Sequence, residues 1–153
     1  MKNEKANLEA RDDYQYTSLL FAVSWNRTEV IEVRLQYVPN VNAKDEQGNN
    51  ATYYAAYLGY LDALKMVVEE DEDVIDLKGF NGESSLMVAS MYGHHQVCEY
   101  LIAERKTNLE SEDDDQKSAL IAAAFKDQLE VIKTLIQHEA NVKAKDLDGI
   151  HAA

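Results

Sequence analysis

The same short pattern returns along this chain every 33 or 34 residues, and that period constrains the fold more than any other feature. The alanines inside the apolar runs, Ala22, Ala55, Ala89 and Ala123, are spaced by 33, 34 and 34. Turn positions upstream of them, Gln15, Gly48, Gly82, Gln116 and Gly149, are spaced by 33, 34, 34 and 33. Asp12, Asp45, Asp113 and Asp146 keep the same frame, with Gly79 in the third slot. Two independent series in register over the whole chain indicate stacked repeats, each burying its apolar stripe against its neighbours.

Each copy has one grammar. The copies run approximately over 12–44, 45–78, 79–112 and 113–145, with partial copies at 1–11 and 146–153, all in a single domain. A polar turn comes first, then Thr17, Asn50, Ser84 or Ser118, side chains suited to cap a helix by accepting a backbone N–H. A short helix follows: SLLFAVS, ATYYAAY, SLMVASM, ALIAAAF. Asn26, Gly59, Gly93 and Asp127 then occupy a turn, and these residue types tolerate a left-handed backbone best. A longer second helix places apolar residues in one stripe, such as Val97, Cys98, Leu101 and Ile102, or Val131, Ile132, Leu135 and Ile136. The ends read as cut copies: KANLEAR at 5–11 matches EANVKAK at 139–145, and DLDGIHAA at 146–153 opens a fifth unit. Either the array continues in a longer parent or the ends are degenerate caps.

The 33-residue period and the turn–helix–turn–helix grammar resemble the ankyrin repeat. The matching pieces are DEQG (45–48), SSLMVAS (84–90), GHHQVCEYLI (93–102), LEVIKTLI (129–136) and EANVKAKDLDG (139–149). The resemblance implies an all-α solenoid of stacked helix-turn-helix units with short β-hairpin-like tips. It also implies a non-catalytic protein-binding module. The departures are informative. The family's T-P-L-H tetrad appears as TSLL, NATY, SSLM and SALI, so the His that ties the turn is missing throughout. The usual glycine after the second helix is replaced by Val38, by Asp71 or Glu72, by Arg105 or Lys106, and by Glu139. Altered turns or lower stability are expected there. Arg34 takes the core slot of Val67, Leu101 and Leu135, and Thr52 that of Leu19, Leu86 and Leu120. The junction of the first two copies is therefore expected to be the weakest.

Composition narrows the function classes. A formal charge of −13 disfavours nucleic acid and anionic lipid, whose phosphates call for Lys and Arg. It permits steering of a basic partner. No stretch approaches the roughly 18 apolar residues of a membrane helix, and the N-terminus shows no apolar signal segment. The single cysteine, Cys98, excludes an intramolecular disulfide and fits a reducing compartment. The default reading is a soluble, cytoplasmic monomer.

Catalytic, cofactor and metal sites are all expected to be absent. Ser84, Ser85, His94 and His95 lie close in sequence without a nucleophile elbow or an acid partner. His94 and Cys98 stand i,i+4, but two ligands without a second pair are weak grounds for a metal. The runs 69–73 and 110–115 are acidic without the spaced ligands of a calcium loop. They read as solvated charge or as contact with a basic partner.

The resemblance places the hairpin tips and the exposed ends of the first helices on a concave face. Read onto this chain, the partner-binding candidates are Tyr14, Tyr16, Trp25, Gln47, Tyr57, Leu58, Phe80, Met91, Tyr92, Asp114 and Phe125. The sole Trp, two of three Phe and four of nine Tyr fall at such positions. Exposed rings flanked by acids suit an interface core and rim, with Trp25, Leu58, Tyr92 and Phe125 as its central row. Partial packing of these rings on neighbouring repeats is the alternative. The reading is a protein-interaction module, an inhibitor or adaptor, and the other is a structural spacer within a longer protein.

Overall fold

The computed structural model describes residues 7, 9–37 and 40–151. Val38, residues 1–6 and 8 of the first partial copy, and residues 152 and 153 of the last lie outside the described residues. The helices are α1 (Ser18–Ser24), α2 (Thr28–Tyr37), α3 (Ala51–Leu58), α4 (Leu61–Glu70), α5 (Ser85–Met91), α6 (His95–Glu99), α7 (Ala119–Phe125) and α8 (Leu129–Gln137). The odd-numbered helices pack side by side as an inner layer, with α2 against α4 and α6 against α8 in an outer layer. Ala55, Ala89 and Ala123 are wholly buried between inner helices, where a small side chain permits close approach. This is a helical solenoid with almost no strand. Isolated antiparallel bridges, Arg11 to Thr17 and Lys145 to His151, close two of the tips.

Local chemistry explains why the helices start and stop where they do. Thr17, Asn50, Ser84 and Ser118 each cap an inner helix, accepting from Leu20 N at 3.3 Å, Tyr53 N at 2.9 Å, Met87 N at 3.3 Å and Ile121 N at 3.5 Å. Asn26, Gly59, Gly93 and Asp127 all turn the chain with positive φ. Two of those glycines also make room. A Cβ on Gly59 would stand 2.4 Å from His94 Nδ1, and one on Gly93 would stand 2.2 Å from Gln128 Oε1. His94 Nε2 lies 2.8 Å from Tyr57 O, and Gln128 Nε2 donates to Met91 O at 3.3 Å. Each side chain thus ties its turn to the end of the previous inner helix.

The second helices end by different routes. Lys106 (φ 53°) and Glu139 (φ 67°) accept the left-handed conformation without being glycine. Asp71 does not: it is extended at φ −150° and caps a 3₁₀ turn over Glu72–Asp76. In the third copy, α6 runs into a π-helical turn, Tyr100–Glu104. These two irregular connectors sit in the two copies that are 34 rather than 33 residues apart, so the surplus residue is absorbed locally. Thr52, wholly buried, is satisfied there. Its hydroxyl lies 2.9 Å from Asn50 Oδ1 and 3.1 Å from Val74 O, which fastens the 3₁₀ turn. Arg34 is also buried, with Nη2 3.5 Å from Glu9 Oε1.

A ladder of cations runs along the connectors. Arg11 donates to Lys44 O at 2.7 Å, Lys44 to Lys78 O at 2.9 Å, and Lys78 to Glu112 O. Glu112 stands where the earlier copies carry Arg11, Lys44 and Lys78, and the ladder of cations stops there. No helix among the described residues is long and apolar enough to cross a membrane.

Candidate protein-binding face

The tips are built on aspartate. One oxygen of Asp12, Asp45, Asp113 and Asp146 accepts the amides two and four residues ahead, all at 2.8–3.0 Å. Neighbouring tips join through the backbone: Glu46 N to Tyr14 O, Asp114 N to Asn81 O and Leu147 N to Asp115 O, at 3.0–3.2 Å. The remaining junction uses a side chain, with Asn49 Oδ1 accepting from Phe80 N at 2.8 Å. Gly79 replaces aspartate at that junction for a steric reason. A Cβ there would stand 2.4 Å from Tyr53 Cδ2 and 2.7 Å from Asn49 Oδ1.

Tyrosines cross the face from one copy to the next. Tyr16 packs on Phe21 at 5.1 Å and on Tyr54 at 5.6 Å between ring centroids. Tyr54 meets Tyr53 edge-on at 6.0 Å, Tyr53 lies parallel to Tyr57 at 6.4 Å, and Tyr57 meets Tyr92 edge-on at 4.7 Å. The hydroxyls are committed too. Tyr16 donates to Tyr54, Tyr54 to Asp45 Oδ2, and Tyr53 to Glu83 Oε2 at 2.8 Å. Burial, then the neighbouring carboxylates, hold the Tyr53 and Tyr54 phenols above their ordinary range. Both stay protonated as donors at neutral pH.

The chain of rings separates two clefts. One, about 530 Å³, is lined by Asp12, Tyr14, Tyr16, Phe21, Ser24, Trp25 and Tyr60. The other, about 390 Å³, is lined by Gln47, Asn49, Tyr53, Tyr54, Tyr57, Phe80, Glu83, Met91 and Tyr92. Of the candidates named from sequence, Tyr14, Tyr16 and Trp25 gather at the first, and Gln47, Tyr57, Phe80, Met91 and Tyr92 at the second. Leu58, Asp114 and Phe125 line neither. The row through Trp25, Leu58 and Tyr92 changes register at its end. Phe125 closes α7 as Met91 closes α5, so Lys126 is the counterpart of Tyr92. Trp25 (68%) and Phe125 (71%) are the most exposed rings of the set, while Leu58 is half-buried.

Tyr53, Tyr54, Phe21 and Tyr60 were not singled out from sequence. A signal was present: four of the nine tyrosines crowd into residues 53–60, three of them in α3, whereas each other inner helix carries at most one ring. A buried phenol needs a hydrogen-bond partner, so adjacent tyrosines there imply polar groups opposite.

The remaining candidates have internal duties. Cys98 is buried, 3.6 Å from Ser90 Oγ, and burial pushes its thiol up to about 11. It is a protonated core residue at neutral pH. Among the described residues no group of His, Cys, Asp or Glu converges as a metal site. The acidic runs are partly spent on the fold: Glu72 pairs with Arg105 at 2.9 Å, and Glu110 Oε1 accepts from Asn141 N at 2.9 Å.

Two family models match the chain. Both are described as ankyrin repeats, one in three copies over residues 70–146 and one in many copies over residues 19–68. The chain belongs to the ankyrin repeat family. Ankyrin repeats are in general protein–protein interaction modules, and the family is typically non-catalytic. The relatives include an ankyrin repeat protein of Acanthamoeba polyphaga mimivirus, 22% identical over 95% of this chain and 20% of its own length. Alpha-latrocrustotoxin-Lt1a of Latrodectus tredecimguttatus is 28% identical over 78% of this chain and 8% of its own. Rabankyrin-5 of Mus musculus is 23% identical over 96% of this chain and 12% of its own. The ankyrin array described here thus spans a fifth or less of each of these relatives.

Proposed function

We propose that the aromatic face of this ankyrin array binds a partner protein, as an inhibitor or adaptor that covers part of the partner's surface. The observation that carries the reading is the pair of adjoining clefts, walled by tyrosines from successive copies and flanked by exposed Trp25 and Tyr92. Large rings on a scaffold held by capped helices and tied tips offer contact area at little ordering cost. The core is built from the buried faces of both helix layers, so the exposed part of these rings is surplus to folding.

The test is affinity capture with wild type beside Trp25→Ala/Tyr92→Ala, followed by mass spectrometry and a binding curve for each captured protein. The expected result is a partner whose affinity falls by about 2 kcal/mol or more in the variant, with an unchanged circular dichroism spectrum and melting temperature. Equal capture by both chains removes the aromatic face from the reading. Capture of nothing favours a spacer.

A further inference from the structure

We propose that the cleft beside Tyr57 and Tyr92 receives one cationic side chain, lysine or arginine, from a basic segment of the partner protein. The inference deepens the protein-binding reading and rests on it. Its grounds are three features of the cleft. The first is the walls. Tyr53 and Tyr57 lie parallel, 7° between planes, and Tyr92 stands edge-on to Tyr57 with centroids 4.7 Å apart. Ring faces carry negative potential and attract an ammonium or guanidinium group. Elsewhere in the chain such faces are already served: Lys65 and Arg105 lie over Tyr100, and Lys126 over Phe125.

The second feature is a carboxylate set among the rings. Glu83 is half-buried, and its Oε2 accepts from Tyr53 OH at 2.8 Å. That is one bond of about four that a carboxylate can accept. No lysine or arginine is among the residues lining the cleft, and Glu83 makes no ion pair among the described residues. Burial, more than any other influence, raises its pKa; the hydrogen bond from Tyr53 opposes the rise, Asp113 adds to it and Lys117 opposes it. A charge held where charge is disfavoured gains most from an incoming counter-ion. An apolar side chain would bury the carboxylate further without pairing it.

The third feature is the field around the cleft. With a formal charge of −13, the chain favours approach of a basic segment and repels an acidic one. The volume of about 390 Å³ leaves space for one long side chain and its backbone.

The test is an NMR titration of the whole chain at low ionic strength with three probes: N-acetyl-arginine methylamide, N-acetyl-lysine methylamide and the neutral N-acetyl-norleucine methylamide. Both cationic probes are expected to shift the ring signals of Tyr57 and Tyr92, and the norleucine probe to leave them in place. A preference for arginine identifies a stacked guanidinium and equal binding identifies simple charge; either supports the site. Glu83→Gln, which keeps an acceptor for Tyr53, is expected to weaken the cationic probes about tenfold or more. Ile136→Leu, on α8 and outside the cleft, leaves them unchanged. Equal shifts with norleucine, or unchanged affinity in Glu83→Gln, overturn the proposal. Its failure is separable from that of the protein-binding reading. A captured partner that binds wild type and Glu83→Gln equally overturns the cation site alone. A cation-binding cleft in a chain that captures nothing overturns the protein-binding reading alone.

Discussion

Gly79 shows how one residue sets the geometry of the face. Its φ of −101° lies outside the left-handed region, and its surroundings leave a side chain no room. Tyr53 and Asn49 of the preceding copy occupy the space a side chain would fill. Asn49 uses that approach to take the Phe80 amide, and Tyr53 uses it to reach Glu83. Gly79→Ala is expected to destabilise the fold by about 1–3 kcal/mol through overpacking, measured by urea denaturation. It should also move the ring signals of Tyr53 and Tyr57. A stable variant with unmoved rings would show that the contact relaxes freely.

At the level of elements, the second helix of each copy decides local stability. Helix α4 buries Ala63, Leu64, Val67 and Val68, whereas α2 buries only Ile31 and Arg34. Val30, Val33 and Tyr37 of α2 are exposed. Arg34 puts a charged side chain, paired with Glu9, in the slot where α4 packs Val67. Hydrogen exchange is therefore expected to open α1 and α2 before α5 to α8. Earlier opening in α7 and α8 would place the weak junction elsewhere. Thr52 was expected to weaken the same junction from the sequence pattern. Its hydroxyl instead fastens the Val74 carbonyl within its own copy, so Arg34 carries that expectation alone.

Across the whole molecule, charge opposes compaction. The chain has 28 acidic and 15 basic side chains, and most of the ion pairs among the described residues involve exposed carboxylates. Exposed pairs contribute little, about 0–1 kcal/mol each, so self-repulsion outweighs them. Raising salt from about 0.01 M to about 1 M shortens the screening length from about 30 Å to about 3 Å. The melting temperature is expected to rise over that range, measured by scanning calorimetry. A fall would mean that the ion pairs dominate.

The sequence by itself determined the period, the inner helices, their caps and the left-handed turns at Asn26, Gly59, Gly93 and Asp127. The helices, caps and turns are each settled within about five residues by hydrogen-bond partners and backbone sterics, and the period shows when the copies are laid beside one another. Other features were decided only by the tertiary structure. It turned the non-glycine ends of the second helices into a 3₁₀ turn after Asp71 and a π turn over Tyr100–Glu104. It brought Tyr16, Tyr54, Tyr53, Tyr57 and Tyr92 into one chain of rings, and it set Glu83 among them. The contacts that join copies span 30 residues for Tyr53 and Glu83 and 38 for Tyr16 and Tyr54. Where a side chain points across such a junction depends on what the next copy leaves vacant, as Gly79 does, and no local pattern carries that information.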